Sequence, residues 1–379
     1  MAINLSRNTR MWVTTETVDA NRDATNTYEI GIQDGYSFSS QLNSTDVTLN
    51  EAGAIPNRGS ARFNDSTSPV DWSFATYIRP YTISTRTLVA DAILWNALAG
   101  AEAHDPEWDN GTKKVNGMAD AGTSFEVDFT GNGLHELGKV EIIFKVDNIY
   151  TTIKDVQVGQ VEISVDIDGI GMTSWTGQGT SFETTTVAPV FIAKGAAGSL
   201  DDADLSTTGF VPAPVNAAYL KNKLSTVSLS STNADGAGTS RTYSTMGLTG
   251  ATVTINNNIT HLTPETLGTV DTPIGSFTGS FDVSGSMTCY LDHEGTTGSY
   301  QLLSDLQANR NVQNSFVFAL SMGGPTGERM EITMPSCHLA IPELSIDDVI
   351  GTSIEFKALP ATLGTSDAGT EVTLKAKAA

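Results

Sequence analysis

Short runs in which apolar and polar residues alternate are the commonest pattern in this chain. In EISVDIDGIG at 162–171, Ile163, Val165 and Ile167 each stand between polar neighbours or glycine. A period of two places neighbouring side chains on opposite faces of a β-strand. The run is therefore predicted to be a strand with one aliphatic face and one oxygen-rich face. The oxygen-bearing side chains of the second face are Glu162, Ser164 and Asp166.

The same carboxylates could instead begin a calcium-binding loop. Asp166, Asp168 and Gly169 follow the opening spacing of such a loop, in which oxygen ligands alternate and a glycine makes the turn. The loop pattern also needs a glutamate further downstream, and none stands in that place. The favoured interpretation is the solvated face of a strand.

Helical spacing is found in two places. Residues 88–100 carry apolar side chains at helical intervals, including Leu88 and Trp95, and end on Gly100. Residues 299–310 carry three leucines after Ser299, a residue type that caps helices. One short helix is therefore predicted in each half of a chain made mainly of strands and turns.

The two halves of the chain repeat the same order of segments. Residues 35–53 align without a gap with 250–268, and the shared residues include Asn43 and Asn258. The upstream runs of the two halves also match, each with two strand-like segments around a turn. A fixed order of similar segments indicates a tandem duplication.

A second match shows where the two copies differ in length. Residues 162–166 lie over 343–347, which is an offset of 181, whereas the first match has an offset of 215. Copy one is therefore longer between the two matches, and most of the excess fits a polar, glycine-rich loop. The predicted division is 1–183 for the first copy with an insertion at about 100–124, 184–216 for a linker, 217–360 for the second copy and 361–379 for a loose tail with one short strand at 371–374.

Composition and charge exclude several classes of protein. The chain has 21 Lys and Arg against 43 Asp and Glu, a net charge of −22, so binding to nucleic acid through phosphate neutralisation is not expected. No apolar run has the length of a signal peptide or of a membrane span, which predicts no membrane association. Cys289 and Cys337 are predicted to be buried, reduced thiols.

Catalytic and cofactor motifs are few and incomplete. None of the five histidines belongs to a His-Glu-x-x-His pattern or pairs with a cysteine at metal spacing. The run GLHELGKV at 133–140 resembles a phosphate-binding loop, but Val140 stands where a magnesium-binding Ser or Thr is needed, and a strand-like run follows. No catalytic, metal or cofactor-binding residue is assigned, and the chain is not expected to be an enzyme.

Several longer segments carry a resemblance to a known family. The runs NSTDVTLNEAG, ARFNDS, DWSFATYI, TINNNITHLTP, IGSFTGSF and DDVIGTSIEFKALP are similar to those of tail tube proteins from long, non-contractile siphophage tails. The similarity covers about 8–360 and is greatest to the T-five type, which has two tandem tube domains. Proteins of that type continue into an immunoglobulin-like domain, which is not expected here because this sequence stops soon after 360.

The resemblance implies a fold and an assembly. The implied fold is two tandem tail-tube β-sandwich or barrel domains, each with one short helix. The implied function is that of a structural virion protein, assembled in the bacterial host cytoplasm, whose rings stack into the hollow tail tube through which DNA is ejected. Three duplicated chains could form a pseudo-hexameric ring, because each chain supplies two equivalent domains.

The resemblance also implies partners and sites. The expected partners are further copies of the chain, the tape measure protein and tail terminator or tip proteins, with DNA passing through the lumen without specific binding. Loops between subunits or rings are expected at Asn43, Asp46, Glu51, Arg58, Arg62, Asn258, His261 and Glu265. The strand at 162–166 and its repeat are expected to line the lumen through Glu162, Ser164, Asp166, Glu343, Ser345 and Asp347, an acidic surface with no cation placed to trap phosphate.

Two other classes of function remain as alternatives. A secreted or surface β-rich adhesin or carbohydrate-binding protein would also show many short strands, but a signal peptide and disulfide pairs would be expected in it. An enzyme is the third possibility and has no specific motif in its favour.

Overall fold

The computed structural model places most of the chain. The residues it describes are 9–22, 27–48, 59–83, 86–99, 118–120, 124–127, 129, 137–189, 219–262, 273, 275–293, 295–309, 313–324, 326–345, 350–360 and 370–377.

The first half of the chain contains fourteen described strands and one helix, α1, at Ala92–Ala99. The strands are β1 Thr9–Thr14, β2 Thr27–Ile30, β3 Ser37–Ser39, β4 Leu42–Thr48, β5 Ser60–Thr67, β6 Val70–Tyr77, β7 Pro80–Ile83, β8 Arg86–Val89, β9 Met118–Asp120, β10 Ser124–Val127, β11 Val140–Val146, β12 Ile149–Asp166, β13 Met172–Gly179 and β14 Ser181–Thr185.

The second half contains eleven described strands and one helix, α2, at Ser299–Ala308. The strands are β15 Thr226–Ser231, β16 Arg241–Tyr243, β17 Leu248–Asn256, β18 Ile259–Leu262, β19 Gly275–Thr278, β20 Asp282–Tyr290, β21 Phe316–Met322, β22 Arg329–Leu339, β23 Glu343–Ser345, β24 Gly351–Ala358 and β25 Thr373–Lys377.

The predicted fold class is confirmed, because the described chain is mainly antiparallel β-structure with one helix in each half. Both helices differ in detail from the prediction. The first begins at Ala92, because the four residues from Arg86 form strand β8 instead of a first helical turn. The second has Gly298 at its N-cap position, and the Ser299 hydroxyl donates to the Tyr290 carbonyl and accepts from the Asp292 amide, each at 2.7 Å.

Strand pairings repeat between the two halves of the chain. β1 pairs with β2 and β11, and β15 pairs with β16 and β21 in the same way. Ser37 of β3 lies opposite Ser73 of β6, and 215 residues later Thr252 of β17 lies opposite Ser286 of β20. These repeated registers support the duplication, while the predicted domain boundaries stay a prediction.

Irregularities in the sheet are repeated as well. The pair Val140–Val156 precedes a one-residue register shift between β11 and β12, and Phe316–Cys337 precedes the same shift between β21 and β22. A β-bulge needs an extra residue at one position of one strand. Its recurrence at equivalent places indicates that both copies bend their sheets in the same way.

One sheet joins the two copies inside the chain. The second half of β12 pairs on one side with β13 and on the other with β17, from Gln160 opposite Asn256 to Asp166 opposite Gly250. Together with the pairings of β6, β20 and β24, this gives the continuous order β3–β6–β13–β12–β17–β20–β24–β23. We call this eight-stranded arrangement the joined sheet.

The hydrophobic core lies against one face of the joined sheet. Trp175 of β13 is fully buried and meets Trp95 of α1 edge-on, with ring centroids 4.8 Å apart. All eight residues of α1 are buried, so that helix lies inside the core rather than on the surface. Burial of this apolar area is the main term that stabilises the fold.

The last residues that the structure describes form a strand, as predicted, although at a slightly different position. β25 covers Thr373–Lys377, two to three residues later than predicted, and pairs with β22 on one side and β10 on the other. Lys375 contacts Glu126 at 3.0 Å, and Lys377 contacts Glu331 at 3.0 Å. The described end of the chain therefore ties a strand of copy one to a strand of copy two.

Candidate functional site: a polar sheet face and two exposed hairpins

The face of the joined sheet turned away from the core is polar across both copies. On β12 the side chains of Val161, Ile163 and Val165 are buried, and those of Glu162 and Ser164 alternate with them on the opposite face. The residues of this face, which we call the polar face, are Ser37, Ser39, Asp71, Ser73, Ala75, Tyr77, Gln160, Glu162, Ser164, Asp166, Met172, Ser174, Thr176, Gln178, Thr252, Thr254, Asn256, Asp282, Ser284, Ser286, Thr288, Ser353, Glu355 and Lys357.

Register places these side chains in rows that cross from one copy to the other. In one row Glu162 lies between Ser174 of β13 and Thr254 of β17. Opposed residues on one face of an antiparallel sheet are direct neighbours. The sequence prediction that Glu162, Ser164 and Asp166 share one solvated face is therefore confirmed, although their placement in a lumen is not tested by a single chain.

Hydroxyl and amide groups of the polar face bond to one another. Thr252 and Ser286 hydroxyl oxygens are 2.9 Å apart, and the equivalent Ser37 and Ser73 oxygens are 2.8 Å apart. Side-chain bonds between neighbouring strands hold these groups in fixed positions and leave their remaining donors and acceptors for water. The face offers hydroxyls and carboxylates on a paired sheet.

The expectation of an acidic face without a cation is wrong in one respect. Lys357 of β24 lies in the same cross-strand row as Glu162 and forms an ion pair with Asp282. Its side chain is 60% exposed, so the pair remains accessible to solvent. Carboxylates still outnumber this cation on the polar face, and its charge is partly neutralised by Asp282.

The alternation predicted for 162–171 ends earlier than expected. β12 stops at Asp166, and Ile167, predicted to lie on the aliphatic face, is 45% exposed. Gly169 then takes a φ of +121°, which turns the chain, and its carbonyl accepts from the Asn222 amide. Among the residues that the structure describes, no group of three or more His, Cys, Asp or Glu side chains lies together as a metal site.

The equivalent residues of the second copy are only partly described. Glu343 and Ser345 lie in β23, with Glu343 opposite Ser353 of β24. This pairing is the counterpart of Glu162 opposite Ser174 in the first copy. Asp347 lies outside the described residues.

The first hairpin is formed by β4 and β5, in a segment predicted to be a loop. Arg62 donates to Asp46 through Nε at 2.7 Å and Nη2 at 3.1 Å. The Arg62 guanidinium lowers the pKa of the Asp46 carboxyl. Both strands are exposed almost throughout, with Phe63 59% and Leu42 62% exposed.

The second hairpin, β18 with β19, is the counterpart of the first. Asn258, at a φ of +49°, donates its side-chain amide to the Ser280 carbonyl at 2.6 Å. Asn43, matched to Asn258 by the sequence alignment, donates its amide to the Ser66 hydroxyl at 3.0 Å. These two asparagines hold the bases of their own hairpins, a local role that the expectation of intersubunit contacts did not include.

Of the other residues predicted to lie in loops, His261 is described by the structure, whereas three lie outside the described residues. His261 lies in β18, and burial lowers the pKa of its imidazole. The second hairpin exposes two large apolar side chains, Leu262 at 48% and Phe277 at 52%. Glu51, Arg58 and Glu265 lie outside the described residues. The prediction that these segments are loops is wrong where they form paired strands, and their role between subunits stays a prediction.

Sequence reasoning missed the junction of β12 with β17. The sequence alignment matched β12 with 343–347 and β17 with the segment that begins at residue 35. Nothing in the sequences of β12 and β17 specifies that these two strands pair with each other. The alternation of Val253 and Ile255 with threonines and asparagine was the available signal, since it marks β17 as a strand with one polar face.

Comparison with known proteins identifies the class. The chain belongs to the phage tail tube protein family, whose sequence model matches residues 9–358. The protein named tail tube protein pb6, from Escherichia phage T5, is 38% identical to it over 374 residues, which is 97% of this chain and 75% of that protein. The chain is therefore a structural component of the virion tail, as its sequence segments predicted, and neither comparison supports the adhesin alternative.

Two further findings concern the thiols and the membrane. Cys289 and Cys337 are buried and unpaired, as predicted. Burial raises the pKa of Cys289 to about 11 and that of Cys337 to about 12, so both stay protonated at neutral pH. No helix in the described part of the chain is both long and apolar enough to cross a membrane.

Proposed function

We propose that three chains form a pseudo-sixfold ring, that rings stack into the tail tube, and that the polar face lines its bore. The observation that carries this proposal is the joined sheet, in which β12 and β17 unite both copies behind one continuous polar face. One face of this sheet is apolar and packs on the core, and the other face is polar. Such a sheet fits a tube wall in which the polar face lines the bore and the core lies further out. Closing the sheet into a barrel also removes its unpaired edges.

The chemistry of the polar face suits the passage of DNA. Carboxylates at positions such as Glu162, Asp166 and Glu355 repel phosphate, and the abundant hydroxyls keep the surface hydrated. Lys357 is held by Asp282, which limits its attraction for phosphate. DNA therefore slides past this surface without specific binding.

The two hairpins are proposed to link neighbouring rings. Each is a two-stranded hairpin, which is marginally stable when solvated on both faces. Each also exposes apolar side chains, Phe63 in the first and Phe277 in the second. Exposed apolar groups in a protein that assembles are expected to be covered by a neighbouring subunit.

The remaining partners follow from position in the tail. A tube is expected to contact the tape measure protein inside and terminator or tip proteins at its ends. The family supports a structural role for this chain, and we extend that to a non-enzymatic one.

A structure of the assembled tube at a resolution that shows side chains tests the arrangement. We expect three chains in each ring and Glu162 facing the bore. Six chains per ring, or Glu162 on the outer surface, contradicts the proposal.

A charge reversal tests the function of the face. Glu162→Lys should slow genome ejection from phage particles, because each ring then carries cations that bind phosphate. Glu162→Gln is the matched control, since it removes the carboxylate without adding a cation, and it should eject at nearly the normal rate. Equal slowing by both variants, or by neither, would show that charge on this face does not govern DNA passage.

A further inference from the structure

We infer that neighbouring chains of a ring join edge to edge through β23 and β3, in the register that β12 and β17 already use inside one chain. This inference rests on the ring proposed above. It adds the strands, the register and the facing residues of the contact between chains, and its partner is a second copy of this chain.

The junction within the chain supplies the template. Glu162 of β12 lies opposite Thr254 of β17, and Ser164 lies opposite Thr252. β12 meets β13 along its other edge, and β17 meets β20 along its other edge. This junction is thus a contact between the last strand of copy one and the first strand of copy two in the joined sheet.

The registers identify the counterpart of each strand. Glu162 opposite Ser174 corresponds to Glu343 opposite Ser353, so β23 takes the place of the second half of β12. The bulge before this point is also repeated, since Gln157–Gln178 and His338–Lys357 each lie one residue out of step with the pairs that follow.

The first strands of the two copies correspond in the same way. Ser37 opposite Ser73 matches Thr252 opposite Ser286, so β3 takes the place of β17. β3 and β23 are the two ends of the joined sheet. Among the described residues, β3 pairs only with β6 and β23 pairs only with β24. Such open edges readily pair with another chain.

A pair of grooves gives an independent indication. On copy one, a groove of about 440 Å³ lies over Trp72, Ser73 and Gly177, and copy two bounds it with Asn256, Asn258 and Ile259. The equivalent groove on copy two, about 410 Å³, lies over Gly285, Ser286 and Phe356.

The groove on copy two has no described residues on the side where Asn256, Asn258 and Ile259 close the groove on copy one. Among the described residues that line it, none comes from the start of a hairpin. The counterparts of the bounding residues are Gln41, Asn43 and Ser44, which follow β3. If β3 of a neighbouring chain lies beside β23, these residues complete the groove.

The template then fixes the facing residues. Glu343 lies opposite Ser39 of the neighbouring chain, Leu344 opposite its Phe38, and Ser345 opposite its Ser37. Phe38 is half-buried in one chain, whereas its counterpart Val253 is fully buried because β12 lies beside it. The contact is heterologous, with a different edge from each chain, so it closes into a ring when the rotation between chains is a simple fraction of a turn.

Cysteine cross-linking tests the register in assembled protein. In Ser39→Cys/Glu343→Cys tubes, mild oxidation should give chains joined to one another, ending at a closed species of three chains after denaturation without reductant. Opposed residues of antiparallel strands lie within the Cα separation that a disulfide spans. The intrachain pair Glu162→Cys/Thr254→Cys is the positive control, because it has the template geometry within one molecule.

An off-register pair provides the contrast. Ser39→Cys/Ser345→Cys should cross-link at least tenfold less, because two residues of slip separate the thiols. If that pair links as efficiently as the in-register pair, or if the in-register pair stays unlinked while the intrachain control links, the register is wrong. A ladder that ends at six chains would support the register but overturn the three-chain ring, so the two proposals fail separately.

A charge test does not depend on disulfide geometry. Ser39→Glu places a carboxylate opposite Glu343 and should raise the critical concentration for assembly about two- to fivefold, because like charges directly opposite destabilise a sheet. Adding Glu343→Lys should return it to near the original value. Ser240→Glu, exposed in the segment before β16 and outside both hairpins and the joined sheet, controls for added charge alone. Without coupling between positions 39 and 343, the inferred pairing is overturned.

Discussion

The two copies solve one packing problem in opposite ways. In copy one, Trp72 of β6 lies opposite Gly177 of β13, and a Cβ at that glycine would lie 2.5 Å from Trp72 Cζ2. In copy two, the glycine stands on the first strand and the aromatic ring on the second, with a Cβ at Gly285 lying 2.6 Å from Phe356 Cζ. A closely packed interior conserves the summed volume of a cross-strand pair rather than the residue at either position.

The largest effect is expected from breaking this pair in copy one. Trp72→Gly should lower the free energy of unfolding by about 3–5 kcal/mol, because it removes a buried ring and leaves a cavity. Gly177→Phe alone should also destabilise the protein, since a Cβ there lies 2.2 Å from the Gln157 carbonyl oxygen and 2.5 Å from Trp72 Cζ2. The double variant, which reproduces the arrangement of copy two, should recover only the part of the loss that comes from the Trp72 contact. Denaturant unfolding monitored by circular dichroism measures all three, and simple additivity of the two single effects contradicts the idea.

The copies also differ in buried polar chemistry. In copy one the Trp175 indole donates to the Thr76 hydroxyl at 3.0 Å, and that hydroxyl donates to the buried Asp91 carboxylate at 2.9 Å. The position of Thr76 in copy two is taken by Cys289, a buried thiol. In copy one, the hydroxyl at this position is bonded to Asp91, a buried carboxyl whose pKa lies near neutral pH. In copy two, the same position holds the Cys289 thiol, whose pKa burial raises to about 11.

A dependence on pH should follow from Asp91. Burial raises its pKa to about 6, so the folded state binds the proton more tightly than the unfolded state. Its contribution favours folding at low pH and is lost as pH rises from about 4 to about 6, by roughly 2–3 kcal/mol.

The test is the unfolding midpoint measured at a series of pH values. Asp91→Asn keeps an acceptor for Thr76 and should reduce the change across this window, while Asp168→Asn, in an exposed turn, controls for loss of one charge. An unaltered pH profile in Asp91→Asn would mean that this carboxyl does not set the dependence.

The smallest expected effect concerns a feature that the copies share. Ser73→Ala and Ser286→Ala each remove one partner of equivalent hydroxyl pairs, Ser37–Ser73 and Thr252–Ser286. Each should lower the free energy of unfolding by about 0.5–1 kcal/mol, since the remaining hydroxyl can bond to water. Similar losses in urea titrations would support equivalence, and a difference above about 1 kcal/mol would separate the two copies at this position.

The equivalence of the copies could be predicted from the sequence because matching residues are separated by a constant number of positions. The gapless match of 35–53 with 250–268 has the offset that relates Ser37 to Thr252 in the observed sheets. The Trp72–Gly177 exchange could not be found in this way. Each position changes between large and small, and only the pairing of β6 with β13 shows that the changes compensate.

The hairpins were taken for loops for a physical reason. β4 reads LNSTDVT, with Asn and Asp at positions where strands usually carry branched or aromatic residues, and both of its faces are exposed. Without a buried face there is no alternation to detect. The strand structure of β4 comes from pairing with β5, so the sequence prediction of a loop was wrong here, and the interface role of the segment stays a prediction.

The junction of β12 with β17 has a consequence for how assembly depends on protein supply. Because both strands belong to one polypeptide, this junction forms during folding and needs no encounter between molecules. In a ring of three such chains, half of the junctions are already made before assembly begins. The equilibrium amount of rings then follows the third power of free protein concentration, where six separate single-domain subunits would follow the sixth. In the proposed ring, a duplicated chain would therefore still assemble at dilutions at which single-domain subunits would remain dispersed.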